Sequence, residues 1–186
     1  MIDVLDEVVQ QSLPTGGAHG LAAGGVLYLI ASGAPGFDVS KGFMGGHAIV
    51  GAHLPLAAGV GFAIKYRGGD QVCLCFMGEA AVNNGAFHEA LNMASLWKLP
   101  VIYVIENNRY GMGTALERAS AINDIAERAC SYDMPNEVVD GQDIVAVREA
   151  TARAIERARS NSEPTLLEMR TYRFMGHSMS DAVSGT

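Results

Sequence analysis

The 186-residue chain has little cysteine, with three residues, and a single tryptophan. Three thiols make no disulfide framework, and Cys73 and Cys75 alternate within an apolar run, so all are expected as reduced core thiols of a cytosolic protein. Basic residues are scarce too. Thirteen Lys and Arg stand against twenty Asp and Glu, a formal net charge of −7. Nucleic acid or an anionic membrane surface would need clustered cations to neutralise phosphate, so neither is expected as a partner. Long hydrophobic runs are missing as well: the apolar stretch from Gly20 to Pro35 is too short and glycine-rich to span a bilayer. Met1 to Gly20 contains acids but no Lys or Arg, so no signal or transit peptide is read there.

What is present suits one sizeable core: 49% hydrophobic and 18% charged residues. From Gln71 onward, short apolar runs alternate with helical patterns. Gln71–Met77 and Pro100–Glu106 read as strands, joined by a helix over about Asn84–Leu96, which makes a βαβ unit. The series continues with a short helix near Ile122–Ala129, a strand at Glu137–Asp140, a helix from Asp143 to Ser160 capped by Asp143, and a strand at Pro164–Thr171. Strands apolar on both faces predict an α/β fold, a parallel sheet flanked by helices. Upstream, Ile49–Tyr66 reads as a nearly all-round apolar helix that expects a partner, with Gly51, Gly59 and Gly61 permitting close approach of another backbone. Gly16–Gly36 shows no sustained period, and no element is assigned to it.

The sharpest chemical feature is an acid after one strand, in MGEAAVNNG (Met77–Gly85), followed about 30 residues later by ENNRYGMG (Glu106–Gly113) after the next. Both turns fall at the carboxyl edge of a parallel sheet, where ligands of open α/β sheets collect. A helix beginning near Asn83 would aim free N–H groups at a diphosphate there. Magnesium takes hard oxygen ligands and shares its shell with phosphate and water, and the Glu79 carboxylate, the Asn108 amide oxygen and the Tyr110 main-chain oxygen supply such a set. Asn107 and Asn108 alone would be read as turn residues, and Glu79 alone as an acid favoured by a helix N-terminus; the spacing between them makes the site. Gly111 and Gly113 are read as loop residues with φ > 0, not as a dinucleotide fingerprint. His47, His53 and His88 share no metal-ligand spacing beyond one helical near-match and are read as non-catalytic.

These residues carry a resemblance. Gly78-Glu79-Ala80 and Asn107-Asn108 are similar in position to the Gly-Asp-Gly and Asn-Asn motif of thiamine-diphosphate enzymes. GGHAIVGAH (Gly45–His53), the segment Ala90–Thr114 and TYRFMGHSMSD (Thr171–Asp181) resemble α subunits of pyruvate-dehydrogenase-type E1 components. The resemblance covers about Phe37–Thr186, so residues 1–36 are set apart as an atypical N-terminal segment and 37–186 as the thiamine-diphosphate-binding α/β domain. It implies Mg²⁺ held by Glu79, Asn108 and Tyr110, and cofactor contacts from Ala48, Val50, Gly78, Glu79, Ala80, Ala81, Asn108 and Tyr110. His177 would approach the cofactor diphosphate as the catalytic-loop histidine, with Ser178 and Ser180 where animal enzymes are phosphorylated.

The implied reaction is oxidative decarboxylation of pyruvate and acetyl transfer to lipoamide, the step that leads from glycolysis to acetyl-CoA. The implied partners are an E1 β subunit, in an α2β2 heterotetramer and supplying a glutamate to the aminopyrimidine, and the lipoyl acyltransferase E2; the implied location is the bacterial cytoplasm. The sequence departs from the family at Glu79, usually Asp, and at Ala80 and Ala48, usually Gly. It also lacks the family's Tyr-Arg pair before Phe37 and reads AAGGVLYLIASGAPG where the family has Gly-Gly-Ser-Met-His, so an N-terminally truncated or frame-shifted subunit is expected. The alternatives are a catalytically silent remnant, an assembly module built on the Ile49–Tyr66 helix, or the α subunit of an acetoin or branched-chain 2-oxo acid dehydrogenase.

Overall fold

The computed structural model describes residues 27–32 and 42–177. Strands β1 (Leu27–Ser32) and β2 (Phe43–His47) are followed by helix α1 (His53–Tyr66), β3 (Val72–Gly78), a 3-10 turn at Glu79–Asn83, α2 (Gly85–Leu96) and β4 (Val101–Asn107). A small hairpin, β5 (Tyr110–Gly111) with β6 (Thr114–Ala115), leads through α3 (Leu116–Ala119) and a 3-10 segment at Ile125–Tyr132 to β7 (Asn136–Asp140), α4 (Ile144–Asn161) and β8 (Thr165–Arg170). The large sheet runs β2-β1-β3-β4-β8-β7, parallel at every pairing, as the two-sided apolar strands predict.

Alternation along β3 and β4 divides the core into two layers. Cys73, Cys75, Met77, Val101, Tyr103 and Ile105 face α1 and α2, packing on Leu54, Phe87 and Leu91. Val72, Leu74, Ile102 and Val104 face α4 and meet Val147, Ala154 and Ile155. Burying a side chain such as Phe87 contributes about 1.5–3 kcal/mol.

Local chemistry sets the helix starts. The Asp143 carboxylate accepts from the N–H groups of Val145, at 2.9 Å, and Ala146, at 3.2 Å, so the expected N-cap of α4 is in place. Asn84 caps α2 in the same way through the Ala86 N–H, at 3.0 Å. The apolar stretch from Ile49 becomes helical only at His53, because Gly51, at φ 84°, turns the chain first.

Four expectations are corrected. A strand, β1, lies within Gly16–Gly36, where the sequence shows no sustained period because glycine and alanine hide it. Cys130 is exposed on the 3-10 segment and is no core thiol, whereas burial pushes Cys73 up to about 12 and raises Cys75 as well. Of the three glycines assigned to close approach, Gly61 packs against Val101 and Leu99, and Gly51 against Asn84, but Gly59 faces open space. No helix begins at Asn83; a 3-10 turn precedes α2. Helix α1 leaves Leu56, Phe62 and Tyr66 exposed. Among the described residues, no helix is long and apolar enough to cross a membrane.

Candidate cofactor site

Strands β3 and β4 run in register from Cys73 opposite Val101 to Gly78 opposite Glu106, so the chain leaves both at one edge. β1 carries β2 on one side and β3 on the other, so the strand order reverses beside β3, and it is at the carboxyl edge near such a reversal that ligands of open α/β sheets collect.

Glu79 opens the 3-10 turn and is 3% exposed. Its Oε1 is buried without a hydrogen-bond partner. Burial raises the carboxyl above its ordinary 4.5, while the N–H groups of Glu79 itself and Asn108 and the charge of Arg173 pull it back. Glu106, half-buried opposite Gly78, is raised too, by burial and then by the charge of Glu79. An orphaned buried carboxylate oxygen costs about 1–3 kcal/mol or more for a charged group, and a bound cation would offset that. Glu79 opens onto a cavity of about 250 Å³ that is also lined by Ala80, Asn83, Gly111 and Leu116.

The second loop is built from two successive asparagine turns. Asn107 Oδ1 accepts from the Arg109 N–H at 2.9 Å, and Asn108 Oδ1 from the Tyr110 N–H at 3.0 Å. Each oxygen keeps a second lone pair, so Asn108 can still serve a metal. The Tyr110 carbonyl accepts from Arg173 Nη1 at 3.5 Å, and the Arg173 guanidinium lies 5.4 Å from the centre of the Tyr110 ring. The residues at positive φ in this loop are Arg109 and Met112, not the two glycines expected. Gly111 is needed for space instead: a Cβ there would stand 2.6 Å from the Ala80 methyl.

Ala48 and Val50 are exposed in the turn after β2. Asn84 Nδ2 donates to the Val50 carbonyl at 3.3 Å, which ties that turn to the far end of the Glu79 segment. The Ala81 methyl is buried in the core, and the Ala80 methyl meets Gly111. His177 is exposed in the segment after β8; Ser178 and Ser180 lie outside the described residues. His53 is fully buried, with Nε2 2.9 Å from the Phe76 carbonyl, and His88 Nδ1 lies 2.6 Å from the Tyr132 hydroxyl. Among the described residues, no three His, Cys, Asp or Glu side chains form a metal cage. A cation here would share its shell with main-chain and amide oxygens and with a phosphate.

Three residues at this edge escaped sequence reasoning. Glu106 had a visible signal, an acid closing an apolar strand beside Asn107. Glu168 had one too, an acid inside the buried run TLLEMR. Arg173 had none, because no periodicity in the segment after β8 brings it to Tyr110.

Residues 26–186 match the family described as "Dehydrogenase E1 component". The chain is 52% identical over 145 residues to the pyruvate dehydrogenase E1 component subunit alpha of Rhizobium meliloti, covering 78% of this chain and 42% of that protein. It is 54% identical over 142 residues to the somatic, mitochondrial form of that subunit from Homo sapiens, covering 76% of this chain and 36% of that one. It therefore spans about two-fifths of the length of these relatives. A solved structure from Mycobacterium smegmatis, provisionally described as a thiamin diphosphate-dependent enzyme, superposes with a TM-score of 0.61 at 16% identity, covering 91% of this chain and 31% of that one. At that identity the likeness shows the shared α/β fold.

Proposed function

The chain belongs to the dehydrogenase E1 component family, and from that premise we propose that it is the magnesium- and thiamine-diphosphate-holding part of a pyruvate dehydrogenase E1 α subunit. The observation that carries this reading is Glu79 Oε1, a buried and unpaired oxygen at the carboxyl edge of the sheet, beside the Asn108 turn. The donors fit the group. Glu79, Asn108 Oδ1 and the Tyr110 carbonyl would hold Mg²⁺, and the main-chain N–H groups of Ala80 and Ala81 would meet the diphosphate next to Gly78. The turn bearing Ala48 and Val50 would flank the aminopyrimidine, and His177 would donate to phosphate from the loop after β8.

When bound, thiamine diphosphate supplies the carbanion and electron sink that a 2-oxo acid needs in order to lose CO₂. The chain's own residues bind and orient it. Glu79 would hold the metal as the carboxylate; burial favours its neutral form, and a cation there would compensate the charge. Arg173 steadies the Tyr110 carbonyl. Pyruvate as substrate, an E1 β subunit in an α2β2 assembly, the lipoyl acyltransferase E2 and a cytoplasmic location complete the proposal.

Calorimetric titration of the chain with thiamine diphosphate, with and without Mg²⁺, tests it. Binding that requires Mg²⁺ and disappears in Glu79→Ala is the expected result. Binding that is independent of the metal, equal in the variant, or absent from the parent overturns the site.

A further inference from the structure

Among the described residues, Glu168 is the one carboxylate with no exposed surface at this edge, and both of its oxygens are engaged. Oε1 accepts from Asn107 Nδ2 at 2.7 Å, and Oε2 accepts from the Ala126 N–H at 2.8 Å; Arg170 Nε stands 3.8 Å from Oε1. It sits on β8 opposite Ile105 of β4 and on the α2 side of the sheet, as neighbouring Leu166 does. A carboxylate enclosed in that layer carries a desolvation cost that an apolar residue would not, so its presence points to what it holds.

What it holds is the second loop. With Nδ2 committed to Glu168, the Asn107 amide is fixed in the orientation that turns Oδ1 to the Arg109 N–H, at 2.9 Å. That bond sets the left-handed Arg109, at φ 71°, and through it the Asn108–Tyr110 turn. Just past the end of β8, the Thr171 N–H donates to the Asn107 carbonyl at 2.8 Å, so this strand grips Asn107 by side chain and main chain together. Ala126 brings the 3-10 segment to the same carboxylate.

We propose that Glu168 is the positioning residue of the cofactor site: it fixes the amide orientation of Asn107 and thereby the geometry of the metal-binding turn at Asn108 and Tyr110. The inference rests on the proposed function for what the turn binds, but the positioning is intrinsic to the chain. Glu168 touches neither metal nor cofactor.

The chemistry gives a sharp test. In Glu168→Gln one carboxylate oxygen becomes an N–H₂ donor, so the new amide satisfies either Ala126 or Asn107 but not both as they stand. The Ala126 N–H is a main-chain donor fixed by the 3-10 segment, so the amide oxygen goes to it. Asn107 then flips to present Oδ1 to the new N–H₂ group, which strips the acceptor from the Arg109 N–H. Adding Asn107→Asp reverses the polarity of the pair. The amide at position 168 then donates to the carboxylate at position 107 while accepting from Ala126, and that carboxylate still accepts from the Arg109 N–H. Amide hydrogen exchange on the unliganded chain reads this directly. Glu168→Gln should speed exchange in 106–113 about tenfold, with α1 and α4 unchanged, and the double variant should restore it. Metal-dependent cofactor affinity should fall and return in parallel. Unchanged loop exchange in Glu168→Gln, equal acceleration throughout the sheet, or no rescue by Asn107→Asp overturns the inference. A parent that binds no cofactor, with loop exchange responding as stated, overturns the site reading alone.

Discussion

Gly111 and Ala80 meet across the mouth of the site, so closely that a Cβ on residue 111 would stand 2.6 Å from the Ala80 methyl. The contact fastens the hairpin after β4 to the turn after β3. It also shows where the methyl of Ala80, a residue the family usually has as glycine, has gone.

Gly111→Ala should therefore cost about 1–3 kcal/mol through overpacking. It should also weaken metal-dependent cofactor binding by prying the two turns apart. Gly111→Ala with Ala80→Gly exchanges the methyl between partners and should recover most of both losses. Denaturant melts and calorimetry on the three variants check this; a double variant no better than the single one would mean the strain lies elsewhere.

Glu79 imposes a pH dependence with a definite sign. Its carboxyl is raised on folding, so protonation favours the folded chain. That contribution is complete below the ordinary 4.5 and is lost as pH climbs through the raised folded value. As pH rises above the ordinary 4.5, the parent should lose stability relative to Glu79→Gln, which has no carboxyl to titrate at that position. Metal affinity should run the opposite way, rising with pH as the carboxylate forms. Melting temperatures of parent and variant across that range decide it, and parallel curves would remove Glu79 as the source.

Gly59 and Gly61, near neighbours on α1, should respond in opposite directions. A Cβ at Gly61 would stand 2.4 Å from Val101 Cγ2, and Gly61→Ala should cost about 1–3 kcal/mol. Gly59 has nothing within 4 Å, and Gly59→Ala should add about 0.5–1 kcal/mol through helix propensity. Chemical denaturation measures both.

Asp143→Ala removes the cap of α4, on the far side of the sheet from α1 and α2. It should cost about 1 kcal/mol and leave metal-dependent binding unaltered. A loss of affinity from this change would show that the site senses general stability and not the local contacts of Gly111, Ala80 and Glu79.

The sheet was legible because Cys73–Met77 and Val101–Ile105 are short runs apolar at consecutive positions, the pattern and length of a strand covered on both faces. Glu79 and Asn108 were legible because an acid and an amide follow two adjacent strands at matching places. β1 was not legible, since glycine and alanine around it carry neither period nor propensity. Nor were the roles of Glu168 and Arg173: their partners, Asn107 and Tyr110, lie 61 and 63 residues away in the chain, and only the sheet brings them together.

The uneven burial of the three thiols turns the chain into its own gauge of integrity. Cys73 and Cys75 lie inside the sheet layer with their thiols held protonated, while Cys130 sits in the open. Only thiolate reacts with an alkylating reagent, so the native molecule takes up one label quickly and the other two only when β3 comes apart. The count of labels per chain is thus a stopwatch for sheet opening, and Cys130 is a ready-made attachment point for a dye that reports on the segment Glu168 holds.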